Sequence, residues 1–177
     1  MNAGLVVVLD DEVGNGIYFA QNRFGGVLAP TECNDVRRGI QTLALRMECQ
    51  QRNAQAVAEY LLAHPLVRAV HYPGVYGDRN RLLAENGLKG FGGVLSFGLH
   101  ADHDTYNRFV SHLKVITSAV SLGHDESLIV FLGENDERQY LYPEEFHGGF
   151  FRFSVGIEDT EDIIADLEQA FAKEGLL

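Results

Sequence analysis

Positive charge is scarce in this 177-residue chain: 14 lysines and arginines face 25 aspartates and glutamates, a formal net charge of −11. That balance argues against a nucleic-acid partner, which is held through a basic face that displaces counterions. It suits solubility and leaves the fold open. Long apolar runs are missing as well. None approaches the roughly 20 residues of a membrane span, so no membrane partner is expected. No basic n-region stands at Met1-Asn2-Ala3-Gly4, which argues against secretion. Only two cysteines occur, Cys33 and Cys49, without CxxC spacing; they read as reduced thiols of a cytoplasmic protein. What remains is ordinary globular material, 46% hydrophobic and 22% charged. It suffices for one domain with a real core and is too short for two full ones.

Along the chain, Leu5 to Leu9 is a solid apolar run with the pattern of a strand buried on both faces. Asp10 to Gly16 reads as a turn, and Ile17 to Phe24 as a short helix ended by Gly25-Gly26. After Pro30, Thr31 or Asn34 can cap a helix to about Ala63, with Val36, Ile40, Leu43, Met47, Val57, Leu61 and Leu62 along its stripe. His64-Pro65 ends it. A helix of that length bridges two domains or two subunits. Strands are then expected at Val67 to Tyr72, Gly93 to Leu99, around Val115-Ile116, at Glu126 to Phe131 and at Phe150 to Gly156. Helices are expected at Arg79 to Asn86, at Asp104 to Leu113 behind an Asp102 cap, and last behind a Thr160 cap, with Ile163, Ile164, Leu167, Ala170 and Phe171 along one face. The pattern predicts an α+β domain: a small, mainly antiparallel sheet with helices on one side.

Within Phe151-Arg152-Phe153-Ser154-Val155, alternation puts the apolar residues on one face and Arg152 with Ser154 on the other. An arginine inside an aromatic strand wants an anion, and its planar fork matches a carboxylate. Spacing alone leaves two readings open, an internal ion pair with Glu158 or Asp159 and a ligand carboxylate. Ser121-Leu122-Gly123 can offer a hydroxyl and backbone N–H groups to an oxyanion, or be an ordinary turn. Ser121, His124 and Asp125 do not make a hydrolytic triad, whose members converge from separate parts of a fold. His100 and His103 lack a third ligand, so no metal site is expected. Gly14-Asn15-Gly16 lacks the third glycine of a dinucleotide fingerprint.

Ala119 to Leu128 and Arg152 to Asp159 together resemble the carboxylate-binding end of the Cys/Met-metabolism family of pyridoxal-phosphate (PLP) enzymes, the cystathionine and methionine lyases and sulfhydrylases. Arg38 to Met47 is similar to that family's R-G-x-x-T-L-x-x-R-M helix. Asn2 to Val8, His71-Tyr72-Pro73-Gly74 and Gly90-Phe91-Gly92-Gly93 fall in its order. The resemblance implies the C-terminal domain of a fold-type I enzyme, with residues 1–29 the end of the large cofactor domain. Residues 30–177 would be the substrate-carboxylate domain, opened by a long domain-connecting helix. It implies that Arg152, Ser121 and Leu122 bind an amino acid's α-carboxylate, and that the protein is a homo-oligomer. PLP is implied for the full-length family, but its lysine should precede residue 1. Lys89, Lys114 and Lys173 do not match it, so no bound cofactor and no catalytic residue are expected here. The implied function is the C-terminal part of a carbon–sulfur lyase or transferase acting on cysteine, homoserine or cystathionine derivatives. Residues 129–149 depart from the family's Thr-His-Ser stretch and leave substrate preference unread. The alternative is a non-enzymatic α+β module that binds a small amino acid or mediates assembly.

Overall fold

A computed structural model of the chain describes residues 4–75, 83, 85, 87–133 and 136–174. It divides into two compact units, Met1–Ala44 and Leu45–Leu177. In the first, α1 spans Asp11–Phe24, earlier than the glycines suggest. Asp10 caps it by accepting from the Val13 N–H at 2.9 Å, and Asp11 and Glu12 load the first turn with the charge that a helix start favours. Gly25, at φ +73, ends it in the left-handed region. Leu5 to Leu9 forms no strand. Its side chains are exposed, and an extended run without a partner has no ladder to join.

Helix α2, Pro30–Ala63, starts at the proline itself, whose missing N–H costs nothing in a first turn. The boundary between the units falls inside it. Its apolar stripe is buried only in the second unit, at Ala54, Val57, Ala58 and Leu61; Ile40, Leu43 and Leu62 are exposed.

The second unit holds one sheet of β1 (Val67–His71), β2 (Val94–Leu99), β3 (Thr117–Ser118), β4 (Leu128–Leu132) and β5 (Phe150–Ser154). Their order is β1-β2-β5-β4-β3, antiparallel except for the β3–β4 pair. Helices α3 (His103–His112) and α4 (Thr160–Lys173) join the buried half of α2 over one face. Register lines Leu95, Phe153 and Ile129 in one row and Phe97, Phe151 and Phe131 in the next. The helices supply Leu61, Tyr106, Phe109, Ile163, Leu167 and Phe171 to the same core. Phe151 meets the rings of Phe97, Tyr106, Phe109 and Phe131 at 5.0–5.8 Å, tilted or edge-on as aromatic quadrupoles prefer. Tyr106 keeps its hydroxyl satisfied inside: it accepts from the Leu99 N–H and donates to the Gly149 carbonyl. Burial raises the pKa of that phenol. The opposite sheet face is covered in part by the short turn Glu144–Phe146, whose Phe146 stacks on Phe150 at 4.6 Å.

Asp102 caps α3 through the Thr105 N–H at 2.8 Å, and that contact with the Thr105 hydroxyl holds its carboxyl below the usual range. For α4 the cap is Asp159 rather than Thr160. Thr160 is the first helical residue, and its hydroxyl donates to Asn53 Oδ1 at 2.7 Å. The helix expected at Arg79 to Asn86 lies almost wholly outside the described residues. Among those described, no helix is long and apolar enough to cross a membrane.

His64, just past the end of α2, stacks on Phe171 with ring centroids 4.1 Å apart. Burial lowers its pKa below the ordinary value, with Glu168 opposing. A histidine with a lowered pKa resists protonation in the folded state, so its contribution is intact above the unfolded pKa of about 6.5 and fades as pH falls toward the folded value. Thermal midpoints of the wild type should therefore drop from about pH 7 to 5 more steeply than those of His64→Phe. Parallel curves would refute this.

Candidate functional site

Two segments meet at one end of the sheet: the turn of residues 119–128, which links β3 to β4, and β5 with the residues just after it. The alternation of β5 sends Phe151 and Phe153 into the core and presents Arg152 and Ser154 to the other side. Arg152 Nη2 donates to the carbonyls of Val120 at 3.0 Å and Ser121 at 3.1 Å. Its Nε–H is buried and has no acceptor among the described residues. No carboxylate among the described residues forms an ion pair with it. The acids expected to compete are engaged elsewhere: Glu158 accepts from the Ser127 N–H at 2.6 Å and hydroxyl at 2.9 Å, and Asp159 caps α4. A buried, unpaired guanidinium N–H costs on the order of 1–3 kcal/mol unless a ligand supplies an acceptor. Neither Glu158 nor Asp159 pairs with this arginine.

The same segments are tied to each other and to α2. Ser154 Oγ accepts the Gly123 N–H at 2.8 Å. Ser127 Oγ accepts the Gly156 N–H at 2.9 Å, so Ser127 bridges Gly156 and Glu158. From α2, Gln50 donates to the His124 carbonyl at 2.6 Å, and Asn53 to the carbonyls of Gly156 at 3.2 Å and Glu158 at 2.8 Å. Beside them lies a cleft of about 270 Å³, with Met47, Phe91, Gly93, Leu122, Gly123 and Ser154 among its walls. Leu122, which lines it, and Ser121 next to it in sequence are both exposed. The structure thus brings Arg152 to Ser121 through a carbonyl, and sets Leu122 and Ser154 in the wall of one cleft.

The sequence model of the Cys/Met metabolism PLP-dependent enzymes matches residues 1–172. The chain belongs to that family. It is 44% identical over 150 residues to a canavanine gamma-lyase of Rhizobium leguminosarum, covering 82% of this chain and 37% of that protein. It is 39% identical over 171 residues to the cystathionine gamma-lyase of Bacillus subtilis, covering 94% of this chain and 45% of that protein. Among solved structures, the cystathionine gamma-lyase of Lactobacillus plantarum, complexed with L-serine, superposes with a TM-score of 0.81 at 36% identity. That match covers 96% of this chain and 45% of the other. The chain spans less than half the length of these relatives. The family assignment agrees with the fold reached from the strands and helices, a mainly antiparallel sheet with a long helix at its head.

Members of this family depend on PLP. The residues of this chain do not fit its covalent anchorage. A lysine that carries a carbonyl cofactor needs a desolvated or cation-flanked setting. Lys89, Lys114 and Lys173 all stand in solvent, and none lines the cleft beside Ser154.

Residues that sequence reasoning passed over carry much of the site. Gln50 and Asn53 are polar positions one turn apart on a helix, 4% and 0% exposed, and within the polar run from Glu48 to Gln55 nothing in the sequence set them apart. Ser154 was visible as the neighbour of Arg152 on one strand face, and Glu158 as an acid two residues past a glycine.

Proposed function

We propose that this chain is the C-terminal, substrate-carboxylate part of a PLP-dependent carbon–sulfur lyase or transferase. The reaction class is β- or γ-elimination or replacement on cysteine, homoserine or cystathionine derivatives. Residues 1–29 belong with the cofactor domain, and 30–177 form the domain that holds the amino acid. Arg152, with Ser121 and Leu122, binds the α-carboxylate. By itself the chain forms no cofactor adduct and turns over no substrate. The observation that carries this reading is the buried Arg152 Nε–H without an acceptor, beside a turn of backbone that a carboxylate can reach. Family membership and the likeness to cystathionine gamma-lyase support the reaction class.

A carboxylate on the Nε edge of the guanidinium takes Nε and Nη2 together, the bidentate geometry that arginine favours. Nη2 is already held by two carbonyls, so binding displaces one of them and shifts the backbone at 120–122. Titrating the isotope-labelled chain with L-serine should move the Leu122 and Gly123 amide signals, whereas L-serinamide, which lacks the carboxylate, should not. Arg152→Ala should weaken the L-serine response roughly 10- to 100-fold, the range of a charge-assisted pair. Equal responses to acid and amide would sink the assignment. Borohydride treatment after incubation with PLP should label no single one of the three lysines selectively; one selectively labelled lysine overturns the inactivity of this chain.

A further inference from the structure

We infer that Ser154 is a positioning residue of the carboxylate site: its buried hydroxyl fixes the turn from which Arg152 and the 121–122 backbone meet a ligand. The inference rests on the reading of Arg152 above and extends it to a residue that reading leaves without a role. Strand alternation places Ser154 two residues beyond Arg152 on the same face, roughly 7 Å along β5. It is 1% exposed and flanked in register by Val94 of β2 and Leu128 of β4. A hydroxyl that deep must find a partner, and here it accepts the Gly123 N–H at 2.8 Å. Gly123 sits at φ +75, where the backbone reverses and a side chain would be strained.

One strand therefore pins the turn with opposite polarities. Arg152 gives hydrogens to the carbonyls of Val120 and Ser121, and Ser154 takes one from Gly123. When a carboxylate displaces a carbonyl from Nη2, the arginine loosens its own hold on the turn. The serine contact is unaffected by that exchange, so it keeps Leu122 and Gly123 in place while the ligand enters. Leu122, Gly123 and Ser154 also share the wall of the adjoining cleft, so the contact lies where a bound amino acid would rest.

The test uses the 177-residue chain as wild type, Ser154→Ala and Ser154→Thr. Amide hydrogen exchange at Gly123 and the dissociation constant for L-serine are measured on each, with thermal unfolding alongside. In the alanine variant, Gly123 should exchange about tenfold faster or more, while Phe151 and Phe153 in the strand keep their protection. Affinity for L-serine should fall roughly five- to tenfold, and threonine, which keeps the hydroxyl, should restore both. Alanine removes a single oxygen, so it tests the claim even if the extra methyl of threonine does not fit. Unchanged Gly123 exchange in the alanine variant overturns the inference. So does unchanged L-serine affinity in that variant when the wild type binds; in that case only the role of Ser154 falls. A wild type that shows no L-serine response removes the reading of Arg152, and the positioning role goes with it.

Discussion

Gly156→Ala is expected to lower the unfolding free energy by about 3 kcal/mol, the upper end of overpacking costs. Glycine is required here for space. Its φ is not positive, so no left-handed conformation is at issue. A Cβ at this position would press on Glu158 Oε2 and the Asp125 carbonyl oxygen, and meet the Glu126 carbonyl carbon at 2.6 Å. Two of those three are backbone, which cannot rotate away as a side-chain tip does. They belong to the turn that Gly156 itself holds: its N–H donates to Ser127 Oγ, and its carbonyl accepts from Asn53. Opening the gap would therefore break the contacts that depend on it. Gly39 makes the control. It lies within α2, and a Cβ there would meet nothing within 4 Å. Gly39→Ala should stabilise by up to about 1 kcal/mol, the helix propensity difference. Urea unfolding of both variants gives the comparison, and a loss below about 1 kcal/mol for Gly156→Ala would show that the 125–126 backbone yields.

Much of the fold was legible because period-two and period-3.6 patterns are strong where one face is buried. Alternation in β5 assigned Phe151 and Phe153 to the core and Arg152 and Ser154 to the other face, as found. The end of α2 before Pro65 and the Asp102 cap followed from backbone chemistry that acts within a few residues. Where the reading failed, the deciding partner lay elsewhere or two local signals competed. Gly14 and Gly16 suggested a turn, yet the Asp10 cap and two acids outweigh the propensity cost of two glycines, and α1 begins at Asp11. Leu5 to Leu9 had the composition of a buried strand, but a ladder is a property of two segments. The choice of partner for Arg152 was of the same kind. Spacing showed acids nearby, while only the folded chain shows that Ser127 and a helix start have already claimed them.

The segment from Arg152 to Asp159 consequently does more than present an arginine. Ser154 holds Gly123, Val155 donates to the Gly93 carbonyl, Gly156 admits the turn, Glu158 holds Ser127 and Asp159 starts α4. Ser154, Gly156 and Glu158 keep the 119–128 turn against β5, while Val155 and Asp159 tie the segment to β2's approach and to α4. A ligand-binding reading assigned it one functional residue, and the rest of its pattern is the support that residue needs.

Asp166→Ala should be the other large loss, about 3 kcal/mol or more, although the residue is not among those proposed to touch a ligand. Asp166 is 4% exposed on α4. Its carboxylate accepts from the backbone N–H groups of Lys114, Val115 and Ile116 at 2.8–3.0 Å, and from Gln169 Nε2 at 3.1 Å. It closes the backbone between α3 and β3, where three successive N–H groups point one way and no strand receives them. A concave run of amides is an anion site, and here the chain fills it with its own carboxylate. Alanine leaves those donors unsatisfied at a cost of about 1–3 kcal/mol for each group that water cannot reach. Asparagine keeps one acceptor oxygen but adds an N–H₂ facing other donors, so Asp166→Asn should recover only part of the loss. Chemical unfolding of the two variants orders them as wild type, asparagine, alanine. Because Ile116 leads through β3 to the turn at Ser121, the alanine variant should also speed amide exchange at Thr117 and Ala119, both of which bond to β4 or its approach. A fall in stability without that local exchange would mean that α4 alone depends on Asp166, and the route from this carboxylate to the arginine site would be broken.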